Sequence, residues 1–308
     1  MRKFALRLAG WSFTLACLLF FAIQVRHHWS SILLHSKGKI LIYIVLPASA
    51  FYAVTCFLLS LSWFYLARGV GSTLTLHKVH KIYAKSQIAK YIPGNIFHYG
   101  SRQVLGHREG MSHTTVFLVN LLETTVIIGA AAGVSLIGGV GLVGIQWGVR
   151  SVVGAIIGSI FISGFLVMFL PRFAFRLSGM RDMDEDRDHI LSKPVYLIPP
   201  IFAYMTFFAM MGLLIWILAL VCTSGAVTIK DLPLFLSVYA TAWLGGFITP
   251  GAPGGIGVRE TLLSAGLSPN IGIPNALTLS LTLRVITIIG DGFFYFTSYL
   301  KPDQGVEH

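Results

Sequence analysis

Long apolar runs separated by short polar stretches cover most of this chain, and their lengths predict its elements. About 20 apolar residues of helix cross a bilayer core. Runs of that kind fall at 9–25, 40–67, 113–138, 151–170, 195–222 and 274–299. Two further apolar segments, 74–110 and 233–266, are interrupted by Pro93-Gly94 and Pro250-Gly251. These predict re-entrant or broken helices, whose freed backbone groups must be satisfied by protein or by a water-filled cavity. The pattern therefore predicts an all-α integral membrane protein. About six transmembrane helices and two broken elements would form a single transmembrane domain over 1–308.

Composition agrees. Apolar residues make up 55% of the 308 positions and charged residues 11%, and the mean hydropathy is +0.76. Soluble domains carry about 25% charged residues. The net charge of +11 raises nucleic-acid binding, but the basic residues sit at the ends of apolar runs, where topology signals and anionic-lipid contacts belong. The run from Ala9 follows Arg2, Lys3 and Arg7 yet ends in Gln24-Val25-Arg26, without a small-residue cleavage site. It therefore reads as a retained span. Basic residues concentrate in the N-terminal tail, in 68–92 and in 171–194, which places both termini in the cytoplasm. Arg26, Lys37 and Lys39 on the opposite side conflict with that orientation. The 171–194 loop also holds the acidic cluster Asp182 to Asp188. It reads as a solvated connector, and neither metal nor cofactor is expected.

The two interrupted segments match each other. Pro93-Gly94 leads to Gly100-Ser101-Arg102-Gln103, and Pro250-Gly251 leads to Gly257-Val258-Arg259-Glu260. Downstream, Glu123 precedes Gly129 by six residues and Arg284 precedes Gly290 by six. Pseudo-repeats are thus read at about 40–138 and 195–299, joined by a span and cytoplasmic loop over 139–194. With the orientation above, the copies are inverted. Inverted repeats with broken helices are common in secondary transporters, which bind their cargo at the repeat interface.

Intramembrane charges are costly unless buried in protein or facing a polar cavity. In the second copy, Gly254, Gly255 and Gly257 let backbone N–H groups approach an anion. Arg259 offers it a planar fork, with Glu260 beside it. The alternative is a tight turn with Arg259 paired to Glu260 or snorkelling. In the first copy, Asn95, His98, Tyr99 and Ser101 are candidates to bind a polar headgroup, and Arg102 its phosphate. Arg102 also fits an interfacial anchor beside Arg108, and a lone His98 also fits a packed ring. Glu123 and Arg284 are expected to face each other across the pseudo-two-fold axis, as a structural bridge or as a gate. Asp291 shares a helix face with Arg284 and extends a polar pathway. The basic segment from Leu76 to Lys85 is amphipathic and fits the inner interface, where it gathers anionic membrane lipid. No HExxH, GxSxG or P-loop pattern occurs in the sequence, so an enzyme is not expected.

The run Pro253-Gly254-Gly255-Ile256-Gly257-Val258-Arg259-Glu260 resembles a motif of the flippase-like membrane domain of the lysylphosphatidylglycerol synthase/flippase family. The first half is similar too, with an arginine after its Pro-Gly and a glutamate in the next span. The resemblance covers nearly the whole chain. It implies a bacterial inner-membrane protein that moves lipids between leaflets, with aminoacylated phospholipids or polyprenyl-phosphate-linked sugars as cargo. The chain reads as a stand-alone member without the aminoacyl-transferase domain, because no polar segment of domain length is present. The expected function is therefore a flippase for an anionic lipid, with Arg102 and Arg259 engaging its phosphate alternately. A membrane enzyme using Glu123, His98 or Asp291 as acid or base remains an alternative, as does a scaffold for an envelope glycosyltransferase. The sequence leaves the oligomer open.

Overall fold

The computed structural model describes residues 38–92, 96–142, 196–249 and 253–300, apart from Ser224 and Ala226, together with the isolated positions Leu19, Ile23 and Arg26. The spans read at 9–25 and 151–170, the acidic loop, the outermost residues of both termini, Asn95 and the two Pro-Gly pairs lie outside the described residues.

Every regular element among the described residues is helical. Helix α1 spans Gly38–Gly69. A broken pair follows, α2 (Leu76–Gln87) and α3 (Phe97–Arg108), with a 3-10 turn at Ile88–Tyr91 between them. Helix α4 spans His113–Leu142. The same order then recurs. Helix α5 spans Ile198–Thr223, and α6 (Leu232–Ile248) and α7 (Val258–Ile271) flank a 3-10 turn at Pro253–Gly255. Helix α8 spans Ile273–Thr297. Five described helical stretches are long and apolar enough to cross a membrane: Tyr43–Gly69, His113–Leu136, Ile198–Thr223, Ile229–Ile248 and Ile273–Thr297. The chain is a multi-pass, all-α membrane protein.

Within the described residues the sequence pattern predicts four full spans, and the structure adds Ile229–Ile248. The reason is local. The second break falls after Thr249, so the arm before it runs unbroken for 17 residues, about 25 Å of helix. Each arm of the first break has only 12 residues.

Helix α2 is more enclosed by protein than its lysines suggest. Seven of its 12 residues are buried, among them Val79, Ile82, Tyr83 and Ser86. It packs on α1, α3 and α8. That buried set follows the spacing of one helical face. Lys78 turns outward to Glu109 at 3.3 Å, and Lys85 lies over the Tyr299 ring at 4.7 Å.

The packing exchanges the two halves. Helix α1 lies against α8, and α5 lies against α4; α1 and α5 also pack on each other, and the two 3-10 turns touch. Small residues allow the closest approaches, as is common between membrane helices. A methyl group on Gly290 would sit 2.4 Å from the Tyr52 ring and 2.7 Å from the Ser49 carbonyl oxygen, so α8 meets α1 almost backbone to backbone.

Candidate functional site

Where the two breaks meet, charged side chains gather in the protein interior. In each half the short helix after the break supplies an ion partner to the long helix that follows it. In the first half, Arg102 of α3 pairs with Glu123 of α4. In the second half, Glu260 of α7 lies 3.5 Å from Arg284 of α8. The polarity is reversed between the halves, because an arginine stands at the long-helix position in one and a glutamate in the other.

The Arg102–Glu123 pair is almost wholly buried. Arg102 and Glu123 are 2% and 3% exposed. The Arg102 Nε–H donates to Ser86 Oγ at 3.1 Å, and its guanidinium stacks 3.9 Å from the Tyr83 ring centre. Glu123 Oε1 also accepts from the Tyr83 hydroxyl at 2.7 Å and from the Tyr204 hydroxyl at 3.0 Å. Asp291 has a comparable shell. It receives Lys90 Nζ at 2.7 Å, the Tyr52 hydroxyl at 3.1 Å and the Tyr91 hydroxyl. Buried charges with satisfied lone pairs are tolerable; a charge left alone is not.

Arg259 is the exception. It has no ion pair among the described residues, and its buried Nε has no hydrogen-bond partner there. Its guanidinium lies 5.4 Å from the centre of the Trp243 ring. Glycines make the channel that holds the side chain. A methyl on Gly255 would sit 2.7 Å from Arg259 Nε, and one on Gly246 would sit 2.5 Å from its Cγ. Gly254, Gly255 and Gly257 all have positive φ, which turns the chain sharply into α7. The Gly257 N–H then donates to Glu260 Oε2 at 2.7 Å, capping that helix. Nearby, Arg284 Nη1 donates to the Gly254 carbonyl at 3.2 Å. Its Nη2 is buried without a hydrogen-bond partner among the described residues, as is His98 Nδ1. His98 lies outside the five spans, and burial pushes its imidazole down to about 2, which keeps it neutral.

His98, Trp243, Gly254, Arg259 and Arg284 line a cavity of about 800 Å³, its open mouth included. A second cavity of about 380 Å³ adjoins it. Tyr239, Trp243, Arg259, Arg284 and Thr287 line both and form the partition between them. On α8, Asp291, Thr287, Arg284 and Ser280 recur at helical spacing. They make one polar face about 16 Å long.

Among the residues singled out by sequence, Arg102, Arg259, His98, Tyr99, Gly254, Glu123 and Arg284 line the main cavity. Glu260 lines the second. Asp291 stands behind Tyr52, Lys90 and Tyr91, which line the main cavity. Ser101, Gly255 and Gly257 line neither cavity, and Asn95 lies outside the described residues.

Two expectations are corrected. Glu123 does not pair with Arg284; each takes a partner from the adjacent short helix of its own half. The second-copy glycines do not all present N–H groups to a ligand: Gly255 seats the Arg259 side chain, and the Gly257 N–H is held by Glu260. Sequence reasoning missed Lys90, Tyr52, Tyr83, Tyr91, Tyr204 and Tyr239. Tyrosines inside apolar helices were the available signal, since a buried hydroxyl needs a partner. Comparison with known proteins finds no family model and no curated protein that matches the chain.

Proposed function

We propose that this protein transports an anionic lipid between the two leaflets of a bilayer. Arg259 carries the proposal. Its guanidinium, with no ion pair among the described residues and its buried Nε without a hydrogen-bond partner there, stands in the partition between two cavities and has binding capacity to spare. A phosphate or carboxylate is the complementary group, because it matches the planar fork and restores charge balance. The headgroup enters the main cavity, meets Arg259 and Arg284, and moves along the polar face of α8 into the second cavity. The acyl or prenyl chains stay in the surrounding lipid.

This scheme replaces an alternation between Arg102 and Arg259. The Arg102 guanidinium is held by Glu123, Ser86 and Tyr83. The carboxylates Glu123 and Asp291 are likewise engaged in ion pairs, which supports carriage of the lipid rather than acid–base chemistry upon it. The basic clusters and the resemblance of Pro253 to Glu260 to the flippase-like domain favour a bacterial inner membrane with both termini cytoplasmic.

The test is transbilayer movement in reconstituted vesicles, using fluorescent phosphatidylglycerol and bleaching of the outer leaflet. A charge-assisted hydrogen bond contributes about 1.5–3 kcal/mol, so Arg259→Met should slow transfer by about 10- to 100-fold. Arg68→Met, which removes a cation lying over Phe64 and away from the cavities, should leave the rate unchanged. Transfer by Arg259→Met at the wild-type rate would refute the proposal.

A further inference from the structure

The cavity groups can be counted by charge. The first break contributes Lys90, α3 contributes Arg102, α7 contributes Arg259 and α8 contributes Arg284. Against these four cations stand, among the described residues, three carboxylates: Glu123 on α4, Glu260 on α7 and, behind the cavity wall, Asp291 on α8. His98 is the remaining titratable group of ordinary near-neutral range that faces the space, alongside tyrosines. Among the described residues each carboxylate has its own cation, which leaves one uncompensated positive charge, located on Arg259.

That surplus follows from the reversed polarity of the two halves. Arg102 meets a glutamate on the next long helix. Arg259 stands at the matching place of the second motif, but the following long helix presents Arg284, and Glu260 serves that arginine instead. A buried site tolerates an occupant best when occupant and lining sum to no net charge.

We propose that the cavity selects its lipid by net charge and takes a headgroup bearing a single negative charge. This rests on the transport reading for the identity of the occupant. A phosphodiester carrying a neutral, hydroxylated group meets the requirement and leaves no charge over. A zwitterionic headgroup brings a cation to a site that already has one to spare. A phosphomonoester dianion overshoots by one charge, and a net-cationic aminoacyl headgroup adds to the surplus. The aromatic lining contributed by Tyr91, Tyr99 and Trp243 suits an uncharged, hydroxyl-bearing group stacked beside the phosphate.

The experiment is a competition for the purified full chain in uncharged detergent, with short-chain fluorescent phosphatidylglycerol as reporter. Competitors are dihexanoyl phosphatidylglycerol, phosphatidylcholine, phosphatidic acid at pH 8.5 and lysyl-phosphatidylglycerol. Wild-type protein should prefer unlabelled phosphatidylglycerol by about tenfold over each of the others, corresponding to one lost charge contact. Two variants then move the preference in opposite directions. Arg259→Met removes the surplus and should erase the advantage over phosphatidylcholine. Glu260→Gln raises the surplus to two, keeps an acceptor for the Gly257 N–H, and should make phosphatidic acid the strongest competitor.

Equal competition by all four lipids, or phosphatidylcholine or lysyl-phosphatidylglycerol ranking first with wild-type protein, overturns the proposal whatever the variants do. Failure of the two readings is distinguishable. Transfer that depends on Arg259 without any charge ranking refutes charge selection and leaves transport standing. The ranking without any transfer supports charge selection and refutes transport.

Discussion

Arg102 and Arg259 occupy matching places in two similar stretches, yet their neighbours give them different work. Arg102 is locked to Glu123, and the Tyr83 and Tyr204 hydroxyls donate to that carboxylate. Removing one charge of such a pair strands the other, at a cost of about 3–5 kcal/mol. Glu123→Gln should therefore markedly lower the heat resistance of the purified protein, read as the fraction still monodisperse after heating. The double variant Arg102→Met, Glu123→Gln should recover most of that loss, because no charge remains stranded. A Glu123→Gln protein as heat-resistant as wild type would show that the pair does not hold the fold. That these residues mattered was legible from charge within apolar sequence. Their pairing was not, because equal spacing in two repeats fixes position along a helix and not the direction of a side chain. The nearest opposite charge lay on the short helix next door, 21 positions away for Arg102 and Glu123.

At the scale of elements, run length and Pro-Gly punctuation were enough to place α1, α4, α5 and α8 and to break the segments between them. What the pattern could not give was the depth of each break, because that depends on how far an uninterrupted arm runs before packing stops it. It also could not give the setting of α2, whose lysines advertise a surface helix while Val79, Ile82 and Tyr83 fix it in the interior. Close contact between elements depends on single glycines. Gly290→Ala would drive a methyl group into the Tyr52 ring and the Ser49 carbonyl, and would push Tyr52 away from Asp291. Overpacking of this kind costs about 1–3 kcal/mol. A drop in heat resistance of that order is expected, whereas Gly292→Ala, whose added methyl meets nothing within 4 Å, should be silent. Equal behaviour of the two variants would show that α1 and α8 are not in such close contact.

The whole molecule is organised so that neither half is chemically complete. Glu123 of the first half takes a hydroxyl from Tyr204 of the second. Asp291 of the second takes Tyr52, Tyr91 and Lys90 from the first. Splitting the chain between α4 and α5 and expressing both parts together should therefore yield a complex that co-purifies. Either part expressed alone should aggregate or be degraded. Halves that purify separately as folded monomers would contradict this dependence. The Lys90–Asp291 pair also has a consequence for how the protein is made. Its members are 201 positions apart, and the carboxylate lies on the last described helix. While the ribosome is still translating, the first break waits in the membrane with an ammonium group and no counter-ion. Only the arrival of α8 supplies that carboxylate, so a chain stopped short of it keeps an unpaired ammonium group.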